Sequence, residues 1–179
     1  RIKNKTPLPP EAAVAEPFIA AMEARGPVNS EVSLAIDKHL RPVDFWGDTN
    51  PPRQPWLRGK FDVVQRGLDK ISVFLGDWKT GKVRESADQL EIGALLIMEK
   101  DPSVETVTGA NIWLKDAKLG TPYVFKRSEK GERWAKWIGK IKKIEALDPS
   151  KPWERRESGL CGYCSVLDCP HNTKNKMGF

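Results

Sequence analysis

The sequence predicts an α/β sandwich, a mixed β-sheet flanked by helices. Two observations predict it. Short segments alternating apolar and polar residues stand beside segments of helical period, and they do not follow a strict βα repetition. No internal repeat and no low-complexity segment interrupts the pattern.

The elements follow in order. Residues 1–10 are basic and rich in proline and form a loosely held arm. Residues 11–24 read as a helix in which Pro17 marks a boundary or kink, and Gly26-Pro27 ends it. Val32, Leu34 and Ile36 alternate with Glu31, Ser33 and Ala35, the period of a half-buried strand, and 41–45 continues or pairs with it. Three prolines make 47–55 a loop. Strands follow at 57–64 and 71–79, each bounded by glycine, which predicts a hairpin. From 86 to 100 the period turns helical, with Ser86 as N-cap and Leu90, Ala94, Ile97 and Met98 on one face. Strands at 104–114 and 122–126 precede a second long helix at 129–147 that buries Trp134, Ile138, Ile141 and Ile144. The predicted organisation is an arm and helix over 1–28, a core over 29–150 and a Cys/His-rich tail over 151–179 packing on the core, after a linker at 153–156.

A chain of 179 residues suffices for one well-packed domain and a small appendage. No run of about 18 apolar residues occurs, which excludes a membrane-spanning helix, and no signal peptide is visible. The net charge of +6 favours an anionic partner. The three cysteines, confined to nine residues near the C-terminus, are not a secreted disulfide framework, so a cytoplasmic protein is expected. The chain begins at Arg1 without Met, as a trimmed fragment does.

The most informative stretch is Gly76-Asp77-Trp78-Lys79-Thr80-Gly81-Lys82 at the end of the 71–79 strand. Side chains on one face of a strand repeat every two residues, so Asp77 and Lys79 share a face. The hairpin can bring Asp62 beside them. Two carboxylates and a lysine at one spot suit a hard divalent cation and a catalytic amine. Asp62 and Asp77 would hold Mg²⁺ or Mn²⁺, and Lys79 would orient water or stabilise charge developing on a phosphate. The plain alternative is a turn-capping Asp62 and a surface Asp77–Lys79 pair. Lys60, Thr80 and Lys82 surround the acids with positive charge and a hydroxyl, suited to gripping phosphates or simply to solubility. Trp46, Trp56 and Trp78 could stack on bases, though core packing explains tryptophans equally well. His39 reads as a surface histidine, and Lys136, Lys140, Lys142 and Lys143 as a solvated helix face.

Gly59-Lys60-Phe61-Asp62, Asp77-Trp78-Lys79-Thr80-Gly81 and Asp88-Gln89-Leu90, in that order, resemble the PD-(D/E)XK nuclease superfamily, most closely its RecB-like exonuclease branch of phage and bacteria. The resemblance implies a restriction-endonuclease-like core and metal-dependent cleavage of DNA. It also implies the Trp78 carbonyl as a third metal ligand, Gln89 on a covering helix as a catalytic residue, and Glu31 in the place of an early acid near the metal. Glu31 reads equally as a solvated strand-edge carboxylate. The chain departs from the family pattern at Gly93, where a Gln-x-x-x-Tyr motif would place Tyr, and no counterpart of an early His/Glu helix appears.

The tail reads Cys161-x₂-Cys164-x₄-Cys169-x-His171. Three thiolates and an imidazole complete a tetrahedral Zn²⁺ set. In some relatives of the resembling branch a similar triplet joins a distant cysteine around a [4Fe–4S] cluster, and reduced thiols without metal remain a third reading. The combined expectation is a Mg²⁺- or Mn²⁺-dependent deoxyribonuclease, exonuclease before endonuclease, in recombination, repair or phage DNA processing. Its partners would be DNA and recombination or replication proteins. A catalytically silent nucleic-acid-binding module of the same fold is the alternative, and a zinc-stabilised interaction module a third.

Overall fold

The computed structural model describes residues 2–151 and 157–172; the expected linker at 153–156 lies outside them. The chain divides into two compact units, residues 1–136 and 137–179.

The first unit is built on one mixed sheet, as the sequence predicts. After a 3-10 segment at Pro10–Ala15 comes α1 (Glu16–Glu23), and then β1 (Val28–Ile36) and β2 (Pro42–Val43). Instead of one helix over 11–24, the chain starts as 3-10 and becomes α-helical at Glu16, with Pro17 in the first turn, where its missing N–H is tolerated. The expected loop at 47–55 contains a small hairpin of β3 (Asp48–Thr49) and β4 (Pro52–Arg53). The long strands β5 (Leu57–Arg66) and β6 (Ser72–Lys79) follow, then α2 (Asp88–Lys100), β7 (Thr106–Trp113), β8 (Lys118–Leu119), β9 (Tyr123–Lys126) and α3 (Lys130–Glu145).

The strand order is β2-β1-β5-β6-β7-β8, with β9 also pairing with β7. Pairing is antiparallel except between β6 and β7. Parallel neighbours need a long crossover, and α2 supplies it. Alternation along the strands gives the sheet two apolar faces. One packs Val63 and Ile112 against Ala15, Ile19 and Met22 of the N-terminal segment, with Phe74 and Trp78 at the margin. The other carries Leu75 against α2, where a Cβ on Gly93 would lie 2.6 Å from a Leu75 methyl and 2.7 Å from the Phe61 ring. α2 is therefore buried nearly all round, from Leu90 to Met98.

The start of α3 is pinned to α2 by charge. Buried Glu91 receives Arg133 at 2.5 Å and Lys136 at 2.7 Å, and Glu99 receives Lys130 and the Trp134 indole N–H. Trp134 is buried as expected, but Ile138 and Ile141 are only half-buried and Ile144 is 58% exposed. Trp134 is the one buried residue of α3. In the second unit, Lys140 lies over the Trp137 ring, and the buried Asn172 amide donates to the carbonyls of Cys164 and Val166. No helix among the described residues is long and apolar enough to cross a membrane.

Candidate active site

The site begins where β5 and β6 part. Their ladder runs from Arg66↔Val73 to Val63↔Gly76 and stops there, one step short of Asp62 and Asp77. Continued antiparallel register would set these residues opposite each other. Instead of a ladder bond, the Asp62 Oδ2 accepts the N–H of Trp78 at 3.0 Å. A residue in a strand points its N–H and C=O to the same side. The Lys79 carbonyl accepts Leu114 N–H after β7, so the Trp78 carbonyl of the preceding residue turns the other way, towards β5 and Asp62.

Asp77 is 7% exposed and lies on the α2 side of the sheet. Its Oδ1 accepts the Gln89 amide at 2.6 Å, and its Oδ2 faces the Lys79 ammonium at 2.5 Å. Lys79 in turn donates to Gln89 Oε1 at 3.1 Å. Gln89 thus bridges acid and amine. It can do so because α2 begins at Asp88 and lies flat on the sheet at Gly93, one turn further on. A tyrosine at 93, as the family pattern would have it, has no room between Leu75 and Phe61. Ser86 is not the N-cap; Ala87 is, and the Ser86 hydroxyl lies 3.4 Å from the Asp88 N–H.

Do these residues suit a divalent cation? The buried Asp77 Oδ2 has no hydrogen-bond partner, because the Lys79 ammonium, although near, lies off a hydrogen-bonding axis. A buried acceptor left in this way is costly, and a cation would satisfy it. Asp62, Asp77 and the Trp78 carbonyl are all hard oxygen donors, the set that Mg²⁺ or Mn²⁺ takes. The residues fit the ion.

The β1–β5 register keeps step on both sides of Glu31 and sets it opposite Asp62, but with a φ of +54° its own rung is missing and its carboxylate is taken up by two lysines. Its exposed carboxylate pairs with Lys60 at 3.0 Å and Lys3 at 3.7 Å, and the hydrogen bond from Lys60, reinforced by both ammonium charges, holds its pKa below the usual carboxylate range. Lys60 is occupied by this pair, whereas Thr80 and Lys82 stand exposed directly after Lys79. His39 is remote from the acids; it lines a groove of about 440 Å³ with Asp37, Lys38, Arg41, Arg53 and Trp56.

The structure does not gather Cys161, Cys164, Cys169 and His171 either. Cys161 Sγ accepts the Ser158 N–H, His171 faces Glu157 at 3.9 Å, and the Asn172 amide closes the loop. Among the described residues no group of three or more His, Cys, Asp or Glu side chains is placed to hold a metal. As arranged, the tail ligands do not fit a tetrahedral centre.

Sequence reasoning missed Glu85. From the loop between β6 and α2 it accepts the Thr121 N–H at 3.2 Å and Asn111 Nδ2 at 3.4 Å, and Asn111 pairs with Asp77 in the β6–β7 register. Nothing local in the sequence marks it.

The family model of the PD-(D/E)XK nuclease superfamily matches residues 11–169. Among solved structures the chain is similar to that described as the crystal structure of SSO0001, with a TM-score of 0.41 and 14% identity over 92% of this chain and 72% of that one. No curated protein gives a match.

Proposed function

The chain belongs to the PD-(D/E)XK nuclease superfamily, and from that premise we propose that it is a Mg²⁺- or Mn²⁺-dependent deoxyribonuclease. The observation that carries this is the closed network of Asp77, Lys79 and Gln89 beside Asp62, with a buried carboxylate oxygen left without a hydrogen bond. Asp62, Asp77 and the Trp78 carbonyl would hold the cation. When bound, it supplies Lewis-acid polarisation of the scissile phosphate and makes water more acidic.

The side chains do the rest. Lys79 places a positive charge beside the acids, where it orients the attacking water and stabilises charge developing on the phosphate. Gln89 holds Lys79 and Asp77 in one geometry. Thr80 and Lys82, exposed on the adjoining loop, grip neighbouring phosphates. The wording of the motifs supports a RecB-like exonuclease acting in recombination, repair or phage DNA processing. A catalytically silent binding module is disfavoured, because Asp62, Asp77 and Lys79 are all present.

End-labelled DNA incubated with Mg²⁺, Mn²⁺ or EDTA tests the reading, with 5′ and 3′ labels separating exonuclease from endonuclease action. Cleavage is expected only with metal. Asp77→Ala and Lys79→Ala should each lower the rate on the order of a hundredfold or more while the circular dichroism of the protein is unchanged. Full activity in either variant refutes the assignment.

A further inference from the structure

Of the tryptophans that the sequence offered for base stacking, the structure separates two. Trp78 is half-buried against the core beside α1, whereas Trp46 is 79% exposed. An indole in water needs an explanation when its backbone is held still, as this one is. Gly47, at φ +100°, closes a turn by donating its N–H to the Asp44 carbonyl, and Asp48 accepts the Asp44 N–H at 2.8 Å. A Cβ at Gly47 would press on the Arg53 carbonyl at 3.1 Å.

The ring is backed on the protein side. Phe45 meets it edge-on, with centroids 5.1 Å apart. The Arg58 guanidinium carbon lies 4.7 Å from the Trp46 centroid and 5.2 Å from that of Phe45, and Arg58 donates to the Phe45 carbonyl at 3.3 Å. Arg58 has no acidic partner among the described residues. Arg58 and Lys60, the latter paired with Glu31, stand two residues apart on β5, and Asp62 lies four residues beyond Arg58, about 13 Å along the strand. That is a span of a few nucleotides.

We propose that Trp46, backed by Phe45 and Arg58, is a stacking platform for an unpaired base of single-stranded DNA, whose backbone runs along β5 past Arg58 and Lys60 to the Asp62–Asp77 pair. The proposal rests on the nuclease reading for the nature of the ligand. An aromatic face binds any base, but only one whose face is not covered by its neighbours in a duplex. A guanidinium stacked on that ring keeps its outer N–H groups for a phosphate. The net charge of +6 favours a polyanion over an apolar partner.

The test uses the full chain in EDTA, so that binding is measured without cleavage. Fluorescence anisotropy follows a labelled single strand of about 12 nucleotides and a blunt duplex of the same sequence. Trp46→Ala should weaken single-strand binding roughly tenfold or more, with the salt dependence unchanged, and Trp46→Phe should recover most of the loss. Arg58→Ala should weaken it and reduce the salt slope by about 1. Wild-type-like single-strand binding by Trp46→Ala, or an equal loss on the duplex, overturns the proposal. A wild-type measurement stands beside these variants: a bromodeoxyuridine-substituted strand, irradiated and mapped by mass spectrometry, should cross-link at Trp46, and cross-links confined to other segments overturn it. Cleavage with Mg²⁺ is scored separately. Trp46-dependent binding without cleavage sinks the nuclease reading alone, and cleavage with Trp46-independent binding sinks the platform alone.

Discussion

Gln89 is the residue on which the site's geometry turns. It donates to Asp77 and accepts from Lys79, so one amide fixes an acid and an amine that otherwise meet only as a poorly aligned ion pair. Such a residue acts through its neighbours. Removing partners of this kind commonly costs ten- to a hundredfold. Gln89→Ala should therefore lower the cleavage rate about 10- to 100-fold, less than Asp77→Ala, and raise the Mg²⁺ concentration needed for half-maximal rate. A Gln89→Ala enzyme with unchanged metal dependence would leave the bridge without a role. The site residues were not equally legible in the sequence. Asp62, Asp77, Lys79 and Gln89 fall in short motifs with fixed spacing, and they lie together. Glu31 was legible only as an acid at about the right distance along the chain; its left-handed backbone and its two lysines were not.

At the scale of elements, two local devices set what the strands and helices can do. The turn between β1 and β2 is closed by Asp37, whose Oδ1 accepts the N–H groups of His39 and Arg41 and whose Oδ2 meets the Arg41 guanidinium at 2.8 Å. Burial pushes the Asp37 carboxyl upward, but the Arg41 and His39 N–H groups and the Arg41 charge outweigh it and hold the pKa at about 2. In an unfolded chain an aspartate titrates near ~3.9. Because the folded value is the lower, the stabilisation is complete above about pH 4 and disappears as pH falls towards 2. The stability gap between wild type and Asp37→Asn, measured by urea unfolding, should be widest at pH 5–7 and close near pH 2. A gap independent of pH would mean that the carboxylate charge is irrelevant to the turn. The second device is Gly93, which lets α2 lie directly on Leu75 and Phe61. Gly93→Leu overpacks that contact and should cost about 1–3 kcal/mol in chemical denaturation, with loss of cleavage as Gln89 is lifted from Asp77. An unchanged midpoint would show that the helix can move aside freely.

For the whole molecule, the core of residues 1–136 is held by the apolar layers on both faces of the sheet and by the Glu91 and Glu99 ion pairs at the start of α3. On the proposed reading the cation serves catalysis and not the folding of this unit. Chelation with EDTA should abolish cleavage while the thermal unfolding of the protein shifts by only a few degrees, and added Mg²⁺ should restore the rate. Collapse of the fold on chelation would reverse the assignment. DNA binding should also weaken steeply as salt rises, since a chain of net charge +6 displaces condensed cations from the phosphates.

Period-two and helical patterns and flanking glycines are local signals, so the long strands β1, β5, β6 and β7 and the helices α2 and α3 were legible in the sequence, whereas the short β3, β4 and β8 were not; the acids and the amine were named through their spacing and Gln89 through the family resemblance. The tertiary structure decided what depends on contacts between distant segments. The β5–β6 ladder stops one step before the acids, and Asp62 then takes the Trp78 N–H in place of a ladder partner. Ile144 is left 58% exposed although the helical period puts it on the apolar face of α3. Of the two tryptophans, Trp78 is half-buried at the margin of the core and Trp46 stays in water, a difference of loop anchoring that no composition records. The four tail ligands have metal-like spacing, yet among the described residues they are not gathered into a metal-holding group. Spacing along a chain limits which side chains can meet, and only the packed backbone decides which of them do.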